Sequence, residues 1–195
     1  MSAPLKLIIG LGNPGPRYAG TRHNAGFWFV DRLAEKYSCS FTSGHKFTGE
    51  IARFRSGANE YLMLKPRTSM NESGRSVQAM MSYYGISPEQ ILVVHDEIDF
   101  DPGIIRIKQG GGAAGHNGVR DIISCIGSNA FPRIRIGVGH PGHKDKVIGS
   151  VLGKPTRAQR KLIENAIDQG LEVFPLILTG EYHKAMNLLH IDVKG

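Results

Sequence analysis

The run Ile91-Leu92-Val93-Val94 constrains this chain most. An unbroken apolar strand has no polar face to offer water, so both of its sides must be covered. Strands of that kind lie at the centre of sheets with helices on each face. Leu5-Lys6-Leu7-Ile8-Ile9-Gly10-Leu11 reads as a second buried strand. Further strand candidates are 46–55, 59–65, 104–108 and 133–138, with 91–95 for the central run. Helix candidates are 24–37, 71–84, 116–126 and 156–178, with a short last helix near 181–189. Ser56-Gly57-Ala58 reads as a hairpin turn between two strands. Pro175 predicts a kink or break late in the longest helix. Strands alternating with helices, plus one hairpin, predict an α/β fold: a single-domain, three-layer α/β/α sandwich with a twisted mixed β-sheet over residues 1–195.

At 195 residues the chain is long enough to bury about 70% of its unfolded surface as one unit. No apolar run approaches the roughly 20 residues needed to span a bilayer. Met1-Ser2-Ala3-Pro4 leads straight into the first strand, which predicts no signal or transit peptide. Cys39 and Cys125 lack metal-type spacing and read as free thiols of a reducing compartment. The net charge of +7 is regional: residues 106–161 carry 11 Lys or Arg against two acids (+9), leaving 13 basic and 15 acidic residues elsewhere (−2). Such a patch captures polyanions, and its concentration around a glycine loop points to nucleic acid.

The loop from Gly12 to Gly26 follows the first strand and is too rich in Gly and Pro for regular structure. It places Asn13, His23 and Asn24 beside a strand end, where open α/β sheets bind ligands. Gly10-Leu11-Gly12-Asn13-Pro14-Gly15 matches the dinucleotide pattern G-x-G-x-x-G, but Pro14, Pro16 and Gly20 delay the helix that pyrophosphate would need. His23 suits a general base at neutral pH, and Asn13 can donate to an oxyanion or orient a substrate. His95 and Asp96 end the central strand and point to opposite faces, so one faces a cleft while the other packs under a helix. Asp96 is the natural orienter of a base imidazole. No H-E-x-x-H, C-x-x-C or carboxylate ladder argues for a metal.

Met70 and Asn71, between a strand and a helix, read as an exposed apolar-plus-amide pair that would suit a peptide-like ligand. Ser69 or Asn71 is alternatively just the N-cap. Gly110-Gly111-Gly112-Ala113-Ala114-Gly115-His116-Asn117-Gly118 lacks the Lys-Ser/Thr pair of a P-loop. Its glycines allow close backbone approach or loop movement. Arg106 and Lys108 share one strand face; Arg133 and Arg135 repeat the arrangement. Side by side these strands would form a phosphate clamp. His140-Pro141-Gly142-His143 reads as a turn.

The chain resembles the bacterial-type peptidyl-tRNA hydrolase family. The resemblance rests on Gly-Leu-Gly-Asn-Pro-Gly at 10–15, Tyr18, Thr-Arg-His-Asn-Ala-Gly at 21–26, Met-Asn at 70–71, His-Asp-Glu at 95–97, Gly-Gly-Gly at 110–112, Gly-His-Asn-Gly at 115–118, Arg-Ile-Gly-Val-Gly-His-Pro at 135–141 and Val-Leu-Gly-Lys at 151–154. It implies hydrolysis of the ester between a peptide and the 3′-terminal ribose of tRNA. On this resemblance His23 activates water, Asp96 orients it, and Asn13 holds water or the substrate carbonyl. Tyr18, Met70, Asn71, His116 and Asn117 would bind substrate, while Arg106, Lys108, Arg133 and Arg135 would grip tRNA phosphate. The resemblance also implies no metal or organic cofactor, a peptidyl-tRNA partner, a monomer and a cytoplasmic location. Ser69 and Glu72 depart from the family's Phe and Leu, and Ala113-Ala114 from its His-Gly. The latter pair is expected to stiffen the loop. Two rivals remain: a non-catalytic RNA-binding member of the family, and a nucleotide-cofactor enzyme using the glycine motif.

Overall fold

The computed structural model describes residues 3–190. Seven strands form one sheet: β1 (Leu7–Gly10), β2 (Thr42–Gly44), β3 (Gly49–Ser56), β4 (Asn59–Pro66), β5 (Ile91–Glu97), β6 (Ile105–Gln109) and β7 (Pro132–Gly137). Their order is β2-β3-β4-β1-β5-β7-β6. The inner strands β4, β1, β5 and β7 run parallel, while β3 pairs antiparallel with β4 and β2, and β6 antiparallel with β7. The helices are α1 (Ala25–Lys36), α2 (Ser73–Tyr84), α3 (Asn117–Ile126), α4 (Val147–Val151), α5 (Arg157–Leu178) and α6 (Tyr182–Leu189).

The alternation of side chains along the central strands builds two cores. Ile8, Leu92, Val94, Ile134 and Ile136 pack with α1, α5 and α6. Leu7, Ile9, Ile91 and Val93 pack with α2 and α3 on the other face. All of these strand residues are fully buried, and each such side chain contributes about 1.5–3 kcal/mol. The three-layer α/β/α arrangement with a mixed sheet is therefore as the sequence implies. Among the described residues no helix is long and apolar enough to cross a membrane. Cys39 and Cys125 are free thiols.

Some expectations need correction. The segment at 46–55 begins as a 3-10 turn at His45–Phe47, and β3 starts only at Gly49. The short β2 and the five-residue α4 are additional. Pro175 lies inside a continuous α5 and does not break it. A proline leaves the carbonyl four residues earlier without its helical donor. Here that carbonyl, on Leu171, accepts from the Lys36 ammonium at 2.7 Å, so α1 supplies what the helix lacks.

Parallel β4, β1, β5 and β7 bring their C-terminal ends to one edge of the sheet. The loops after β1, β4 and β7 and the last residues of β5 therefore meet there. β6 runs the other way and ends at the opposite edge, where Gln109 pairs with Pro132. Residues 110–116 must climb back along the sheet face before α3 can begin. Left-handed backbone at Gly110, Gly111, Ala114 and Gly115 turns the chain through this climb.

Candidate active site

The loop after β1 is fixed from within. Asn24 accepts from the Asn13 N–H at 2.9 Å and donates its own amide to the Asn13 carbonyl at 2.9 Å. The Met70 N–H donates to Asn13 Oδ1 at 2.8 Å, which sets the carboxamide's orientation and leaves Nδ2 as a donor at the cleft. Trp28 donates to the Ala19 carbonyl at 2.9 Å. Gly26 lets α1 start against the sheet, since a Cβ there would stand 2.3 Å from the Val94 carbonyl oxygen. This close approach carries His23, one turn earlier, to the end of β5.

His23 Nδ1 lies 2.9 Å from each oxygen of Asp96. His116 Nε2 lies 2.8 Å from Asp96 Oδ1. Asp96 is thus clasped between two imidazoles whose ring centres are 4.9 Å apart. His116 Nδ1 accepts from the Val119 N–H at 3.3 Å, capping α3, so its proton sits on Nε2 and is donated to Asp96. With Asp96 accepting from Nδ1–H, His23 carries an unprotonated Nε2.

Burial works to lower the His23 pKa, but the charge and hydrogen bond of Asp96 outweigh it and hold the imidazole above its ordinary 6.5. Burial likewise works to raise the Asp96 carboxyl; the two imidazoles overcome this and hold it well below the usual carboxylate range. His95 points to the other face, donates from Nδ1 to the Asp96 carbonyl at 2.7 Å, and packs edge-on to His116. Burial, then the neighbouring His116, push its pKa down to about 3, so it stays neutral.

A cleft of about 260 Å³ lies on one side of His23, lined by Asn13, Tyr18, Met70, Asn71, Asn117 and Ile148 among others. A second, of about 470 Å³, lies on the other side, with Asp96, Glu97, His116, His140 and Val147 in its wall. The fold brings together Asn13, Tyr18, His23, Met70, Asn71, Asp96, His116 and Asn117. Two of them differ from expectation. Met70 is buried rather than exposed, its sulfur seated where a Cβ on Gly118 would come within 2.5 Å. His116 is not free to bind substrate: both ring nitrogens are engaged by Asp96 and Val119.

Four cations stand on one face of β6 and β7, with Arg106 opposite Arg135 and Lys108 opposite Arg133. Arg135 lies 3.8 Å from Glu97 and so adjoins the cleft that Glu97 lines. Arg133 corrects the sequence expectation. It is only 2% exposed, and its guanidinium donates to the carbonyls of Gly111 and Gly112. It tethers the climbing loop instead of facing solvent. Arg106 donates to the carbonyls of Ile105 and Leu189, both at 3.0 Å.

Among the described residues, His23, Asp96 and His116 form one group able to hold an ion, with ligand atoms within 4.8 Å of one another. The proton on His116 Nε2, required by the Val119 contact, occupies the position a metal would take. The trio as arranged is a hydrogen-bonded relay.

Residues 7–194 match the family model described as peptidyl-tRNA hydrolase. The chain belongs to the peptidyl-tRNA hydrolase family. A peptidyl-tRNA hydrolase of Nitrosomonas europaea is 49% identical over 190 residues, covering 97% of each chain. One from Pectobacterium atrosepticum is 51% identical over 187 residues, covering 95% of this chain and 96% of its own. The crystal structure of the peptidyl-tRNA hydrolase of Acinetobacter baumannii superposes with a TM-score of 0.92 at 49% identity, covering 96% of this chain and 95% of that one.

Sequence reasoning did not reveal what Asn24 and Arg22 bond to, nor the apolar wall of the cleft. Asn24 and Arg22 act through backbone and side-chain bonds that no local pattern reveals. The wall residues Val147, Ile148 and Val151 lie on a helix too short to show a periodic signal.

Proposed function

We propose that this protein hydrolyses the ester joining a peptide to the 3′-terminal ribose of peptidyl-tRNA. What supports the reading is one observation above all: an imidazole 2.9 Å from a buried carboxylate, opening onto a cleft with a preset amide donor, within the family frame. A water attacks the ester carbonyl as His23 Nε2 takes its proton. Asp96 keeps the proton on Nδ1 and stabilises the imidazolium that forms. Asn13 Nδ2 donates to the carbonyl oxygen as it gains charge. On collapse the carbon–oxygen bond to ribose breaks, and the imidazolium returns its proton to the ribose oxygen. A peptide acid and free tRNA leave.

Asn71, Asn117 and Tyr18 line the substrate cleft, and His116 holds Asp96. Lys108 and Arg135, with Arg106 behind them, meet acceptor-stem phosphate. This reading places the enzyme in the cytoplasm as a monomer, beside translation, and requires no cofactor. The test is His23→Ala assayed on an N-blocked aminoacyl-tRNA. The expected result is loss of kcat by at least about 10³-fold with tRNA affinity within about twofold of the parent. Turnover near the parental rate refutes the base assignment; a parent that binds tRNA but cleaves nothing supports the non-catalytic rival.

A further inference from the structure

Helix α4 forms the apolar wall of the cleft, yet little of it is buried. Of its five residues only Val151 is buried, and Ile148 is 69% exposed while lining both cavities beside His23. A helix of one and a half turns that buries a single side chain is not held by packing or by its own hydrogen bonds. Something else must fix it.

The polar bonds that do so converge on Arg22, the residue before His23. Its backbone N–H donates to the Gly153 carbonyl at 3.0 Å. Its Nη1 donates to the Ser150 carbonyl at 3.1 Å, at the C-terminal end of α4, where a cation also complements the helix dipole. Its Nη2 donates to Gln159 Oε1 at 2.9 Å. That same oxygen accepts from the Thr156 N–H at 3.0 Å and closes the capping box of α5. Gly153 leaves room for the guanidinium, since a Cβ there would come within 3.3 Å of Nη1.

We infer that Arg22 is a positioning residue: its guanidinium staples the end of α4 and the start of α5 to the catalytic histidine, and so sets the distance between Ile148 and the reacting ester. This rests on the proposed hydrolysis of peptidyl-tRNA. The planar fork is what the site uses, because it reaches two acceptors on two different helices at once. A lysine keeps the charge but cannot make both bonds in this geometry.

The test is a double-mutant cycle of Arg22→Lys and Ile148→Ser on N-blocked aminoacyl-tRNA. Arg22→Lys is expected to raise KM about tenfold and leave kcat within about threefold, with the acid limb of the kcat profile unmoved. Ile148→Ser is expected to raise KM about fivefold in the parent but less than about 1.5-fold in the Arg22→Lys background, because the wall is already displaced. Amide exchange in Arg22→Lys is expected to quicken at Leu152 and Gly153 and to stay unchanged in α1. Equal factors for Ile148→Ser in both backgrounds overturn the inference. So does a shifted acid limb at constant KM, which would mean that Arg22 acts on His23 directly. Should Arg22→Lys fail to fold, Gln159→Met removes one arm of the staple; an intermediate KM and partial coupling to Ile148 are expected, and strict additivity again overturns it. If the parent itself does not cleave the substrate, the exchange comparison still decides the staple, and the functional reading alone falls.

Discussion

At the scale of the residue, two opposing effects meet on His23. Burial favours the neutral imidazole and Asp96 favours the charged one; the carboxylate prevails, so the pKa is raised. As the proposed general base His23 must be neutral, so kcat is expected to fall as pH drops through that raised value, with the acid limb above pH 6.5. Asp96→Asn removes both raising influences and leaves burial alone. The limb should therefore move to below pH 6.5, while kcat drops on the order of 10²- to 10⁴-fold because the amide no longer fixes the tautomer. Profiles of kcat against pH for the two proteins check this, and a limb at an unchanged position would assign the titration to another group. His95 does not compete for the role. Held neutral at a pKa of about 3, it adds no charge beside Asp96 and serves as packing beneath His116.

At the scale of the element, the climbing loop between β6 and α3 decides whether Asp96 is clasped from both sides. Arg133 holds its middle and His116 its end. Arg133→Met leaves the Gly111 and Gly112 carbonyls to solvent, and we expect a stability loss of about 1–3 kcal/mol. Because His116 and Asn117 follow the loop, kcat should fall about tenfold while the salt dependence of KM stays as in the parent. Thermal unfolding with steady-state kinetics at several salt concentrations separates these effects. A shallower salt dependence at full kcat would instead make Arg133 a direct phosphate contact. The strands of this region were legible in the sequence because Ile105, Ile107, Ile134 and Ile136 alternate with cations, and a period of two survives any tertiary context. Arg133's burial was not legible. It depends on β6 running antiparallel, which forces the loop back over that face. For the same reason the burial of Met70 was not legible: it depends on Gly118, 48 positions further along the chain, which has no side chain to occupy the space. α4 and β2 escaped because five and three residues are too few to carry a period. The His23–Asp96 pair was legible in its parts, an imidazole in a loop and a carboxylate at a strand end. Only the direct contact of α1 with the sheet at Gly26 makes them a pair.

At the scale of the whole molecule, charge is segregated in a way that folding alone does not favour. Like charges placed directly opposite one another on paired strands are destabilising, yet β6 and β7 set Arg106 against Arg135 and Lys108 against Arg133. Most of these cations have internal relief. Arg133 has the loop carbonyls, Arg135 has Glu97, and Arg106 has the carbonyls of Ile105 and Leu189. Lys108 makes no hydrogen bond or ion pair shown among the described residues, so its charge is open to a partner. Under the proposed function, that asymmetry favours a polyanion site over a solvated basic face. Scattered surface charges gain little from any arrangement, whereas a cation kept against a like charge gains only when phosphate arrives. Lys108→Ala should therefore leave stability equal to or slightly above the parent's, since repulsion with Arg133 is relieved. It should raise KM for peptidyl-tRNA and lower the slope of log KM against log salt by about 0.7–0.9, the loss of one phosphate contact. The same substitution should leave kcat untouched, because no bond runs from Lys108 to the His23–Asp96–His116 relay. Unfolding curves and KM at four salt concentrations measure both quantities. An unchanged slope would mean that tRNA docks elsewhere, with the lysine's open charge then lacking any account in this fold.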